Sequence, residues 1–452
     1  MTFWIVNPFD NLPPEGLRPQ RYWLMARAFA QAGHKVVYWS ADFSHAYKRA
    51  RDVAALAGRH EGFALRLVHE PPYPKNICLR RLWSHWRFAR NWLAAARAEV
   101  KGPRGFRGFK GLMGFGGFKG LKGVKGLWGF RGFKGFRGFK GFKGLKGVKG
   151  LNGLKDSGCR PDVLIVSSPP LALGAAARAF CRCTGAKLVI DIQDAWPETF
   201  QRVVPRFLLL PLTMLARRNY RAADAITAVS RRYLDLAHAY GATCPQHLCY
   251  HGIAHPLNTP TANNQQPTTN HQLPTTNYQL PTYRLAYIGN MSLSYDLATV
   301  VAVVRERTDL SLDLAGAGPD EAALKAQAAD CDRIRFHGYL DETALRELLL
   351  QSDAGIIPMF PASQVGIPGK LADYAAAGLP VVSSLLDETL DLLVRYRAGV
   401  PYVAGDRDSF SKAVDKVRHL EKNDRYALAV EFDAEKLYNA YLNFVLEKVQ
   451  GE

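Results

Sequence analysis

Residues 354–383, AGIIPMFPASQVGIPGKLADYAAAGLPVVS, hold the pattern on which the fold turns. Ala354–Pro358 is an apolar run of strand length, Lys370–Ala377 is rich in helix formers, and Pro380–Ser383 is a second strand. The same rhythm extends upstream through strands at Arg284–Ile288, Ser311–Ala315 and Arg333–His337, with a helix over Glu342–Gln351. It recurs in the first half, at strands Phe3–Asn7, Lys35–Trp39, Phe63–Val68, Asp162–Ser167, Lys187–Asp191 and Ala225–Ser230. Helices read over Arg18–Ala32, stopped by Gly33, and over Leu79–Val100. Alternation of this kind predicts an α/β fold with parallel sheets covered on both faces. Two doubly wound, Rossmann-like domains are expected to face each other across a cleft, one over 1–100 and 159–255, the other over 283–432. An amphipathic C-terminal helix follows at 433–452. Ligands of such folds sit beyond the carboxyl ends of the strands, so the cleft is the expected site.

Two segments interrupt the rhythm. In the insert at 101–158, glycine recurs every third residue from Gly102 to Gly153, followed by an apolar residue and then usually by Lys or Arg. Period three matches an extended polyproline-II run; so much glycine argues against an ordinary helix, and a single proline argues against collagen. The composition predicts a disordered loop, with contact to an anionic membrane surface as the alternative. Residues 256–282 repeat QQPTTNH, QLPTTNY and QLPT without a charge and read as a linker.

The insert also decides what the net charge means. The chain carries 59 Lys plus Arg against 40 Asp plus Glu, a formal +19. Residues 101–155 hold 15 of the basic residues and no acid, which leaves the rest of the chain at only +4. Nucleic-acid binding is therefore not expected. A hydrophobic content of 48% fits a globular class. The opening MTFWIVNPFDN has no basic n-region and reads as a strand, not a signal peptide. No run approaches the ~18 apolar residues that span a bilayer. The longest apolar block, Phe207–Ala216, is broken by Pro211 and Thr213 and flanked by Arg206, Arg217 and Arg218. It reads as a buried helix, with a helix lying on a membrane surface as the alternative. Seven cysteines form no disulfide framework, so the expected compartment is the cytoplasm, including the inner face of the cytoplasmic membrane.

Chemistry concentrates at strand ends. Gly289-Asn290, Ala315-Gly316-Ala317-Gly318-Pro319 and Phe336-His337-Gly338-Tyr339 follow three successive strands, where glycine lets backbone amides approach an anion. Lys370-Leu-Ala-Asp373-Tyr-Ala-Ala-Ala-Gly378 opens the helix of the quoted stretch. In the first half, Asp191-Ile-Gln-Asp194-Ala-Trp-Pro-Glu198 follows a strand and Tyr250-His-Gly-Ile253 ends the domain. In this order the motifs resemble family 4 of the glycosyltransferases, which have the GT-B fold. The segment ending at Glu198 is similar to the D-x-W-P-E segment of the branch that includes bacterial N-acetylfucosamine transferases.

That resemblance implies a retaining, metal-independent transferase with no cofactor besides its donor substrate. A nucleotide-diphosphate sugar would be held mainly by the second domain. A lipid-linked or polysaccharide acceptor would be held mainly by the first, in bacterial envelope or exopolysaccharide synthesis. Lys370 would neutralise the diphosphate as the glycosidic bond breaks. Asp373, where the family generally has Glu, would accept from the ribose hydroxyls, and the family's other acid falls at Val365. Gly289, Asn290, Gly316 and Gly318 would line the donor, His337 and Tyr339 would flank the base, and Gly366 and Ile367 would offer backbone amides. In the first domain Gly16 would approach phosphate and acceptor, Arg18 or Arg21 would add positive charge, and Asp191 or Asp194 would orient the acceptor hydroxyl or serve as a structural cap. Two rivals stand beside this reading: a GT-B sugar-nucleotide 2-epimerase, and a degenerate transferase kept as a membrane-binding module. Neither the acidic pair Asp330 and Asp332 nor the pair Asp406 and Asp408 is expected to hold a metal.

Overall fold

The computed structural model describes residues 1–75, 78–101, 160–201, 204–254, 282–420 and 426–450. The expected insert at 101–158 and linker at 256–282 lie, but for their edges, outside these residues.

The first lobe contains strands β1 (Thr2–Val6), β2 (Lys35–Ala41), β3 (Phe43–Ser44), β4 (Arg49–Ala50), β5 (Gly58–His60), β6 (Phe63–Val68), β7 (Val163–Ser168), β8 (Lys187–Ile192), β9 (Ala225–Ala228) and β10 (Gln246–Leu248). Its helices are α1 (Arg21–Gln31), α2 (Val53–Leu56), α3 (Leu79–Lys101), α4 (Leu171–Thr184), α5 (Arg206–Tyr220) and α6 (Arg231–Ala239). Eight strands form one sheet in the order β10-β9-β8-β7-β1-β2-β6-β5, parallel except for the edge pair β5–β6. Phe3-Trp-Ile-Val6 and Val163-Leu-Ile-Val166 are apolar without alternation because both faces of these central strands are buried. On one face Trp4 and Trp39 pack with Phe88 and Trp92 of α3 and Phe180 of α4. On the other, Phe3 and Ile5 pack with Trp23 and Phe29 of α1.

The second lobe repeats the plan with β11 (Tyr283–Ile288), α7 (Leu297–Glu306), β12 (Leu310–Ala315), α8 (Glu321–Gln327), β13 (Ile334–Gly338), α9 (Glu342–Leu350), β14 (Ala354–Ile357), α10 (Gly369–Ala376), β15 (Val381–Ser383), α11 (Glu388–Arg395), β16 (Gly399–Pro401) and α12 (Arg407–Arg418). Its six strands run β13-β12-β11-β14-β15-β16, all parallel. The last helix, α13 (Ala434–Gln450), returns to the first lobe, where Tyr438, Tyr441 and Val445 complete the core beneath α1. The order of strands reverses between β1 and β7 in one sheet and between β11 and β14 in the other. These switch points set the loops after β1 and β11 at the mouths of the two crevices.

Two expectations need correction. The first helix begins at Arg21, not Arg18: Pro19 and the extended Gln20 hold the preceding backbone out of the helical region. The apolar block at 207–216 is helical within α5 but not buried, since Phe207, Leu208, Leu210 and Met214 are exposed. Only Leu209 and Ala216 of that block are fully covered.

Candidate functional site

The second-lobe turns press against one another. Gly289 Nα donates to the carbonyl of Ala315 at 2.9 Å and Gly316 Nα to that of Gly338 at 2.6 Å, so these amides are engaged by neighbouring backbone. A Cβ on Gly316 would lie 2.0 Å from the Gly289 carbonyl oxygen, and one on Gly318 would lie 2.0 Å from that of Met291. The glycines are thus required by turn-on-turn packing, and an anion approaching these turns would meet amides other than those of Gly289 and Gly316. Gly316 also has φ +128°. Gly316→Ala is expected to destabilise the lobe by at least the ~1–3 kcal/mol of a strained backbone, read as a lowered melting temperature with unchanged oligomeric state.

Gly289 has a second consequence. Its bare Cα face looks at the Lys370 ammonium, whose Nζ would be 3.4 Å from a Cβ placed there. Lys370 is the second residue of α10 and only 8% exposed. Its Nζ lies 3.9 Å from the ring centroid of Tyr287 and 4.2 Å from that of Tyr295. It has no hydrogen-bond partner among the described residues. Burial pushes its pKa well below the usual lysine range, with Asp373 pulling the other way. Two tyrosine faces stabilise the charged form partly, and a buried amino group without a hydrogen-bond partner remains beside the β11 switch-point turn.

Asp373, one turn further along α10, is engaged from the other lobe. Arg18 donates to it from the loop after β1, with Glu342 of α9 at 4.0 Å from the same guanidinium. The shifted start of α1 is what frees Arg18 for this crossing. Gly16, also in that loop, has φ +74° and nothing within 4 Å of where a Cβ would point. Tyr339, exposed after β13, meets Tyr47 of the β3–β4 hairpin with ring centroids 6.3 Å apart. Gly366 packs on Ser230, where a Cβ would come within 2.8 Å, and its carbonyl accepts from Thr389 Oγ1 at 2.6 Å. Ile367 turns its side chain into the second-lobe core. The carboxyl-end loops of both sheets therefore face each other, and Gly16, Arg18, Lys370, Asp373 and Tyr339 all belong to those loops or the helix beginning there.

Four other expected site residues are placed differently. Arg21 and Asp191 are buried against each other, with Nε to Oδ2 at 2.8 Å and Nη2 to Oδ1 at 2.9 Å. Arg21 also donates to the carbonyls of Cys249 and Tyr250 at 2.9 and 2.7 Å, while Asp191 accepts from Tyr22, Thr227 and Gln193. Neither side chain reaches the cleft; together they tie α1 to β8, β9 and the strand end at Cys249. Asp194 accepts from Trp196 Nε1 and Thr199 Oγ1, both at 3.1 Å, and closes its own turn. Burial pushes its pKa up. His337 is likewise occupied, with Nε2 at 2.6 Å from Asp313, a carboxylate shared with Arg284 and Arg335. Burial pushes the Asp313 pKa up, but hydrogen bonds from Arg335, Arg284 and His337 and the charge of Arg284 outweigh it and hold it at about 2. Asp406 caps α12 by accepting from Ser409 Nα.

Sequence reading missed Tyr287 and Tyr295 as the cradle of Lys370 and Glu388 as a bridge between lobes. Glu388 accepts from Arg231 Nα and Tyr250 Oη, both at 2.8 Å. The two tyrosines are eight positions apart, and no periodicity links them to a lysine 75 or more positions away.

A family model described as "Glycosyl transferases group 1" matches residues 282–420, and one described as "Glycosyl transferase 4-like domain" matches residues 119–248. Together the two span more than half of the chain. Among solved structures, the chain is similar to sucrose-phosphate synthase from Thermosynechococcus elongatus, with a TM-score of 0.63, 12% identity and 100% of each chain covered. It is similar to HepE of Anabaena in complex with UDP and glucose, with a TM-score of 0.59, 10% identity, and coverage of 99% of this chain and 100% of that one. It is also similar to the apo form of the lipopolysaccharide outer core galactosyltransferase WaaB, with a TM-score of 0.55, 13% identity and 99% of each chain covered. At these identities the likeness is one of fold. No curated protein matches the chain in sequence.

Proposed function

Because the chain belongs to the glycosyltransferases of the GT-B fold, we propose that it transfers a hexosyl or N-acetylhexosaminyl group, with retention, from a nucleotide-diphosphate donor to a lipid-linked or polysaccharide acceptor in bacterial envelope or exopolysaccharide synthesis. The observation that carries this reading is the buried, unpartnered Lys370 amino group beside the Gly289 turn, which a bound anion would favour in its charged form. A diphosphate bound there supplies the missing anionic partner. As the bond from the anomeric carbon to the diphosphate oxygen breaks, negative charge grows on that oxygen, and a fixed cation in a water-poor site lowers the barrier. Asp373, released from Arg18, accepts from the ribose hydroxyls, and Arg18 is then free for the diphosphate or the acceptor. Gly16 leaves open space for the acceptor on the first lobe. The leaving diphosphate itself takes the acceptor proton, so neither Asp191 nor Asp194 is needed as a base.

UDP is the first probe, since one fold neighbour is described in complex with UDP and glucose. Calorimetry is expected to give saturable 1:1 binding of UDP or GDP that Lys370→Met weakens; no binding of either nucleotide would sink the donor reading. Because the lysine supplies the counter-charge, adding EDTA is expected to leave turnover of the productive donor–acceptor pair unchanged. A loss of turnover restored by Mg2+ would contradict that.

A further inference from the structure

Helix α5 has two apolar faces, and the first lobe covers only one. Leu209, Leu212, Ala216 and Tyr220 pack inward against α4 and the sheet. On the outer side Phe207 is 68% exposed, Leu210 56% and Met214 53%. These three recur at i, i+3 and i+7, so they form one stripe along the helix. Leu208 and Pro211 broaden it. Arginines bound it at both ends: Arg206 before it, Arg217 and Arg218 after it, all exposed. Neither α5 nor the adjacent α4 contains an acidic residue. Arg178 and Arg182 of α4 add to the same cationic side, and Arg178 Nη1 donates to the carbonyl of Arg218.

The position of the stripe matters as much as its composition. In a parallel sheet each helix starts from a strand's carboxyl end, so the Phe207 end of α5 lies at the cleft end of the lobe. Helix α3 starts at the same end, with Leu79 and Trp83 exposed and Arg80 beside them. Arg81 of α3 stacks on Trp196 of the loop leading to α5, which joins the two helix starts into one rim. An apolar stripe flanked by arginines at both ends, with Glu198 near Arg217 as an acidic neighbour, suits a surface that is apolar within and anionic at its boundary.

We propose that the outer face of α5, with the start of α3, is the surface by which this protein docks on a membrane containing anionic phospholipid. Phe207, Leu210 and Met214 enter the acyl boundary, and Arg206, Arg217 and Arg218 lie among the phosphates. Docked in this way, the cleft end of the first lobe is held against the bilayer, where a lipid-linked substrate would be carried. The docking itself does not depend on the transferase reading, because vesicle binding needs no donor.

The test is flotation of the full chain with vesicles of phosphatidylcholine alone or mixed with phosphatidylglycerol. The wild type is expected to float with the mixed vesicles and to be released by salt. The combined variant Phe207→Ser, Leu210→Ser, Met214→Ser is expected to lower the bound fraction about tenfold, and Arg206→Glu, Arg217→Glu, Arg218→Glu to do the same. Both should keep the wild-type melting temperature, since the altered side chains are exposed. Wild-type flotation by both variants would assign binding to another part of the chain and overturn the proposal. So would a wild type that ignores vesicles, whether it is a monomer or a dimer that the serine variant dissociates; the dimer would make the stripe an interface between copies. Failure to bind UDP alongside normal flotation would count against the donor reading alone.

Discussion

Lys370→Met is expected to lower kcat about a hundredfold, or about 2.7 kcal/mol, while leaving the melting temperature unchanged or raised. Methionine keeps the length of the side chain between Tyr287 and Tyr295 but removes the ammonium. A buried charge without a partner lowers the stability of the free protein, so its loss relieves the fold. The same charge is most useful when the diphosphate departs, so its loss is felt in turnover. Opposite signs in stability and activity separate this role from a structural one, because a lysine needed for packing would lose both together. Turnover near that of the wild type would remove Lys370 from the mechanism.

The largest effect on stability is expected at the pair misread as cleft residues. Asp191→Ala should destabilise the fold by about 3–5 kcal/mol in urea unfolding, because it leaves the Arg21 guanidinium buried without a counter-charge. Arg21→Met, which leaves Asp191 its bonds from Tyr22 and Thr227 but no counter-charge, should also be strongly destabilising. The pair also sets an acid limit. Burial alone would raise the Asp191 pKa, but Arg21 and the hydrogen bonds from Thr227 and Tyr22 outweigh it and hold it below the usual carboxylate value. The unfolded chain therefore binds this proton first as pH falls. The contribution is complete above the ordinary aspartate pKa and is lost as pH drops through the lower, folded value. Stability of Asp191→Ala should accordingly fall less steeply in acid than that of the wild type. An equally steep acid limb would show that other carboxylates set it.

How legible this molecule is in its sequence depends on how much of each residue's role is local. Central strands such as Val163–Ser168 read well because a strand covered on both faces is a continuous apolar run. The short edge strands β5, β10 and β16, three residues each and incompletely buried, carry no such run and pass unnoticed. The position of Lys370 at a helix start reads from the sequence because a glycine-bearing loop precedes it. Its cradle does not, because Tyr287 and Tyr295 reach it only through tertiary packing. Arg21 and Asp191 were placed correctly along the chain, beside a loop and at a strand end. Direction is what the sequence withheld: the first turn of α1 rolls Arg21 inward, where Asp191 is its counter-charge. In α5 the apolar block suggested burial, but one flank of a single helix suffices to close that side of the core.

The return of α13 to the first lobe means that the chain passes between lobes twice, and the two passages touch. Ile253 pairs in parallel with Asp433; Ile253 Nα donates to the Phe432 carbonyl at 2.8 Å and Ala434 Nα to the Ile253 carbonyl at 3.1 Å. A Cβ on Gly252 would meet Ala434 Cα at 2.7 Å, so the passages lie as close as backbone allows. Two ropes laced together at one point act as a door hinge, not as a tether. Any swing of one jaw against the other has to be taken up by the backbone on either side of that lacing.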